Sequence, residues 1–183
     1  MKNYDISGIN VLLVEKHAEM RRMIRDILRQ FNIRDVRDCD KVVDALDMFK
    51  QTEFDLVITD WAPGLDGIEL LKKLRQEDAA NPFIPVVIIS ANTEARHIYE
   101  ALDSGMTEFL AKPISATMLY SRICSVIEKR RMFISNEEFF GPDRRRLRKA
   151  DYSGENRRSG GNVNGPERRD SSSKDYAGKD RRK

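Results

Sequence analysis

Three near-continuous apolar runs, Ile9–Val14, Phe54–Thr59 and Ile84–Ile89, constrain this chain more than any other feature. A strand with one wet face alternates apolar and polar residues, whereas a run that is apolar throughout has to be covered on both faces. Weaker runs at Ile33–Val36 and Glu108–Leu110 continue the series. Between them, apolar residues recur three or four apart: Met20, Met23, Ile24, Ile27, Leu28 and Phe31, then Val42, Val43, Leu46 and Phe49, then Ile68, Leu71 and Leu74. That spacing places each set on one face of a helix. Strands alternating with helices predict five βα units in a doubly wound α/β domain, a parallel sheet between two helical layers. Asp40 is placed to cap the second helix, and Asp66–Gly67 to open the third after a turn at Pro63–Gly64. In such a sheet the site lies at the carboxyl ends of the strands.

The rhythm stops near residue 132, and composition changes with it. From Phe133 onward there are 14 Lys and Arg against 9 Asp and Glu, a net of +5, while residues 1–132 carry −2. After about residue 140 the chain is Gly, Ser, Asn, Asp and Arg with hardly an aliphatic residue. Such a segment cannot bury enough apolar surface to offset the entropy of ordering it. The sequence therefore predicts a folded domain over 1–132 and a disordered basic tail over 133–183. No stretch approaches the ~18 apolar residues that span a bilayer, and the start MKNYDISGIN has no apolar signal core. Cys39 and Cys124 stand in unrelated contexts, so no disulfide and a cytoplasmic location are expected. The methionines fall on helical apolar faces and read as core filler, and His17 and His97, near helix starts, as surface or capping residues.

Chemistry-bearing residues collect at the strand ends. The first strand ends in Val14-Glu15-Lys16, the third in Thr59-Asp60-Trp61 and the fourth in Ile89-Ser90-Ala91, and the fifth leads into Lys112-Pro113. A carboxylate nucleophile, a hydroxyl donor and an ammonium are what phosphoryl transfer to a side chain needs. Asp60 is the predicted nucleophile, Ser90 the hydrogen-bond donor to a phosphoryl oxygen, and Lys112 the neutralising charge.

The blocks VLLVEKHAEMRRMIRDIL, FDLVITDWAPGLDGIELLKKLR, VVIISA and EFLAKP occur in order across residues 1–132. Together they resemble the CheY-like response-regulator receiver family of bacterial two-component signalling. The resemblance implies a five-stranded sheet of order 2-1-3-4-5 flanked by five helices. It makes Asp60 the phosphoacceptor, Ser90 the hydroxyl switch, Lys112 the family's lysine and Phe109 the aromatic switch, and implies a cis bond before Pro113. It also implies a signalling protein rather than an enzyme: a phosphoprotein of a phosphorelay, fed by a histidine kinase or phosphotransfer protein. Its output would be protein–protein contact through the 94–120 face, including Tyr99, Phe109 and Tyr120. Two departures bear on Mg²⁺. The family ends its first strand with two acids that hold the ion with the phosphoacceptor; here they are Glu15 and Lys16, and a lysine cannot ligate a hard cation. The loop DWAPGLDG has two residues between the aspartate and the proline where the family has three. Any Mg²⁺ would rest on Glu15 and Asp60 alone. Lys16 could instead place its ammonium by Asp60, or swing into solvent.

The tail carries a pattern: aromatic or Val, any, Gly, any, Asp/Glu/Asn, Arg, Arg. Its copies lead with Phe139, Tyr152, Val163 and Tyr176, and their glycines are Gly141, Gly154, Gly165 and Gly178. The arginine pairs are Arg144–Arg145, Arg157–Arg158, Arg168–Arg169 and Arg181–Arg182. A motif used several times allows weak contacts to add. An aromatic beside an arginine pair suits a planar anionic partner: a cyclic dinucleotide, nucleic acid or an acidic protein surface. Arginine-rich tails on single-domain CheY-like proteins resemble cyclic di-GMP-binding receivers. The reading kept beside the phosphorelay one is a pseudo-receiver, a binding module that works without phosphorylation.

Overall fold

A computed structural model describes residues 4–76, 78–128, 132–135 and 139–143. Five parallel strands form one sheet: β1 (Val11–Val14), β2 (Val36–Cys39), β3 (Leu56–Asp60), β4 (Val86–Ser90) and β5 (Glu108–Ala111). Their spatial order is β2-β1-β3-β4-β5, as the resemblance implied. The helices are α1 (Ala18–Gln30), α2 (Val42–Gln51), α3 (Gly67–Leu74), α4 (Ala95–Asp103) and α5 (Ala116–Glu128).

Side chains alternate across the sheet, so one strand feeds two cores. Leu12, Val14, Val57, Val86 and Ile88 pack with α2, α3 and α4 on one face. Val11, Leu13, Ile58, Val87 and Ile89 pack with α1 and α5 on the other. All five residues of β3 and of β4 are buried, which is why their sequences show no polar alternation.

Local expectations fare unevenly. Asp66 caps α3 as predicted, its carboxylate accepting from the Ile68 and Glu69 N–H groups at 3.0 Å. Asp40 does not cap α2; the N-cap is Lys41, whose side chain makes no capping bond. β2 begins at Val36, where the weak run Ile33–Val36 ends, because Ile33 is spent closing the turn after α1. Met23, Met118 and Met132 are exposed and are not core filler. Cys39 and Cys124 are free and buried. The Lys112–Pro113 peptide is cis.

Packing continues past residue 132. The contacts divide the chain at residue 146, and none of residues 147–183 is described. Before that division, β6 (Phe133–Ser135) and β7 (Phe140–Pro142) pair antiparallel. Three phenylalanines account for it. Phe83, Phe133 and Phe140 cluster with ring centroids 5.1–5.6 Å apart, giving residues just past 132 an apolar surface to bury.

Candidate functional site

The carboxyl ends of β1, β3, β4 and β5 bring their polar side chains together in one cluster. β3 delivers Asp60 into it, 1% exposed, and Gly67 is the reason α3 can start so near. A Cβ at Gly67 would overlap the Asp60 carbonyl oxygen. Glu15, at the end of β1, is also 1% exposed. Lys112 lies between the two carboxylates, its Nζ 2.8 Å from Asp60 Oδ1 and 3.1 Å from Glu15 Oε2. The contact with Glu15 is a hydrogen bond, but neither Asp60 carboxylate oxygen has a partner in hydrogen-bond geometry. Asp60 is thus ion-paired at Oδ1, and its Oδ2 is buried without a hydrogen-bond partner.

Glu15 is engaged on its other side. Oε1 accepts from the His17 N–H at 2.8 Å and faces His17 Nδ1 at 3.0 Å. Arg21 holds the turn, donating from Nη1 to the Glu15 carbonyl at 2.6 Å and from Nε to Asp38 at 2.9 Å. Burial alone would raise the pKa of Glu15, but the His17 N–H and the Lys112 ammonium outweigh it and hold it below the ordinary value. Asp60 goes the other way: burial, with the negative Glu15 nearby, raises its pKa against the pull of Lys112. Burial would lower Lys112, yet its two carboxylate partners raise it.

Ser90 ends β4 fully buried. Its hydroxyl donates to the Trp61 carbonyl at 3.0 Å and accepts from the Asn92 N–H at 3.1 Å. Trp61 in turn stacks on His97 of α4, with ring centroids 3.3 Å apart and planes 11° from parallel. Phe109 is half-buried against the α4-side core. Of the expected partner face, Tyr99 is 64% exposed. Tyr120 points away from it, packed on Phe31 and bonded through its hydroxyl by the Tyr4 N–H.

Lys16 is exposed, and its Nζ covers Gly64 in the loop after β3. Among the described residues the ammonium paired with Asp60 belongs to Lys112, so the expectation that Lys16 takes that place is not met. The cation a receiver uses would sit where Glu15, His17 and Asp60 bring three potential ligand atoms within 4.8 Å of one another. That set does not fit Mg²⁺. It contains an imidazole nitrogen, the Lys112 ammonium stands at both carboxylates, and the Ala62 carbonyl accepts from the Leu65 N–H. Sequence reasoning set His17 aside, although Glu-x-His at a strand end places both side chains over one pocket. The Trp61–His97 stack joins residues 36 apart and leaves no local signal. The tail arginines 144, 145, 157, 158, 168, 169, 181 and 182 lie outside the described residues.

The family model described as the response regulator receiver domain matches residues 11–124. The chain belongs to that family. Chemotaxis protein CheY-3 of Vibrio cholerae is 32% identical over 123 residues, covering 67% of this chain and 94% of that protein. Chemotaxis protein CheY of Pseudomonas aeruginosa is 30% identical over 122 residues, covering 66% and 98%. Among solved structures, the receiver domain of the Francisella response regulator 1452 is 29% identical with a TM-score of 0.59, covering 66% of this chain and 98% of that one. The signal receiver domain of an HD domain-containing protein from Pseudomonas fluorescens shares the fold at 21% identity and TM-score 0.59, covering 67% and 96%. This receiver is therefore a response-regulator module of two-component signalling. No helix among its described residues is long and apolar enough to cross a membrane.

Proposed function

We propose that this receiver is a cytoplasmic single-domain response regulator that accepts a phosphoryl group on Asp60 and signals by protein contact. The observation that carries the reading is a buried carboxylate at the end of β3 with Oδ2 unpartnered and an ammonium 2.8 Å from Oδ1. Oδ2 attacks the phosphorus of a phosphohistidine on a kinase or phosphotransfer protein. The new O–P bond forms as the P–N bond breaks, and the imidazole leaves with the electron pair and takes up a proton. Lys112 balances the added negative charge, and Ser90 turns its hydroxyl from the Trp61 carbonyl to a phosphoryl oxygen. Since the Trp61 ring lies on α4, that turn has a direct route to the exposed Tyr99 side of the 94–120 face. No step uses a metal ion.

A second reading, the pseudo-receiver, is favoured by the same ammonium. A carboxylate pair already bridged by Lys112 can persist as a fixed binding module, with the tail arginine pairs taking an anionic ligand. Intact-mass measurement after a small phosphodonor, with Mg²⁺ or with chelator, separates the two. The first reading predicts one added phosphoryl group, absent in Asp60→Asn and little changed by chelation. No adduct under either condition rejects it. Tryptophan fluorescence during a Mg²⁺ titration gives an independent check, because Trp61 is the chain's sole tryptophan. No millimolar-range response is expected.

A further inference from the structure

Of the four repeats, the first, led by Phe139, has residues 139–143 among those described, and they are docked. Phe140 closes on Phe83 and Phe133, and Gly141 and Pro142 are buried. Gly141 is there because nothing larger fits. A Cβ on it would lie 2.9 Å from the Gly105 Cα and 2.8 Å from the Phe139 ring. Gly105 meets it from the other side, with φ +91° and a Cβ position 3.1 Å from the Phe140 carbonyl. The floor of this contact is Arg75, 6% exposed, which donates from Nε to the Gly105 carbonyl and from Nη1 to the Pro82 carbonyl. Its guanidinium lies under the Phe133 ring at 5.3 Å, and its Nη2 has no partner. The dock lies at the amino ends of β4 and β5, the opposite edge of the sheet from Asp60.

The glycine that this backbone-to-backbone contact demands is shared, with the arginine pair, by all four repeats, at 141, 154, 165 and 178, each two places after Phe, Tyr or Val. We propose that the repeat is a docking element for the Gly105–Arg75 face. The first copy fills that face within its own chain, and the later copies fill it on a second copy of the chain. Each chain has one such face and four elements, so three are in surplus. The resident copy is held by a pair of three-residue strands, a marginal structure in isolation, so the face opens to competitors. The later copies have Ser153, Asn164 and Ala177 where the first has Phe140. They lack its contacts with Phe83 and Phe133 and bind more weakly one by one. Three on one chain offer a single face three chances of occupancy, a statistical gain of about threefold over one copy. Face and element are different surfaces, so the contact is head-to-tail, closing by reciprocal exchange or extending into open chains.

Sedimentation velocity on the full chain over a range of concentrations tests this, because two glycine changes act in opposite directions. Gly141→Val evicts the resident copy and frees the face. Self-association is expected to strengthen at least tenfold over the unaltered chain. Gly154→Val, Gly165→Val and Gly178→Val together, on the Gly141→Val background, remove the ligands and return the chain to monomer. A circular dichroism melt of each variant confirms that the receiver is folded. The amide signal of Gly105 reports the dock directly: it shifts in Gly141→Val and returns toward its original position as association proceeds. A Gly141→Val chain that stays monomeric overturns the proposal. So does association that survives loss of the three later glycines, and so does a return of the Gly105 signal independent of concentration, which would assign the later copies to their own chain.

Discussion

Replacing Lys112 with Met exposes how this pocket is held together. The ammonium sits 2.8 Å from Asp60 and 3.1 Å from Glu15, both 1% exposed. At an effective dielectric of about 20, each contact is worth roughly 5–6 kcal/mol of gross Coulomb attraction, most of it offset by desolvation of the three groups. Removing the ammonium leaves two buried carboxylates facing one another. The variant can escape by binding a proton, and that escape limits the loss. From the ordinary aspartate value of 3.8, protonation at pH 7 costs about 4 kcal/mol at 1.36 kcal/mol per pH unit. Lys112→Met is therefore expected to lose about 3–4 kcal/mol at pH 7. In the variant the folded carboxyl pKa lies above the unfolded one, so the penalty is complete above the folded value and fades as pH falls toward the unfolded one. The deficit against the parent should shrink by about 1.4 kcal/mol per pH unit between pH 7 and pH 5. Urea unfolding followed by Trp61 fluorescence at several pH values measures it, and Asp60→Asn on the same background should restore about half or more. A loss below about 1 kcal/mol at pH 7, or a deficit that does not change with pH, refutes the view that Lys112 neutralises two buried charges.

Asp60→Asn alone should stabilise the receiver at pH 7 by on the order of 1 kcal/mol. Burial and Glu15 raise the folded carboxyl pKa, so the penalty it removes exists above that value and disappears on acidification; denaturation midpoints at pH 7 and pH 4 check the sign. Gly67→Ala should cost about 1–3 kcal/mol in the same assay, since its Cβ would overlap the Asp60 carbonyl oxygen. Burial pushes the Cys39 thiol up to about 11 from 9.0. Its alkylation at pH 8, read by mass after digestion, should then be roughly 100-fold slower in the folded chain than after unfolding.

Legibility from sequence followed the range of the interaction. β1, β3 and β4 were visible because strands covered on both faces leave an unbroken apolar signature, and Asp60 and Ser90 because each closes such a strand; Lys112 follows the weaker run of β5. Asp66 was visible because a cap acts three residues along the chain. Asp40 had the right residue type and lost to Lys41, a one-residue shift that residue type alone does not decide. Tyr120 was placed on the partner face by its position in the chain, whereas the rotation of α5 about its axis turns it toward Phe31.

The strands and the residues at their carboxyl ends were thus written in the chain itself, since apolar periodicity is a local property, while their spatial order followed from the resemblance of the four motif blocks. Tertiary structure alone decided where Lys16, the second lysine at these strand ends, would go. Lys16 and Lys112 carry the same charge, yet Lys16 lies over Gly64 and Lys112 reaches between two carboxylates 97 and 52 residues away. It also decided that packing runs past residue 132. Phe133 and Phe140 look like the start of a polar tail until Phe83 and the bare backbone of Gly105 are brought alongside. Both outcomes depend on contacts between distant segments, which no window along the sequence contains.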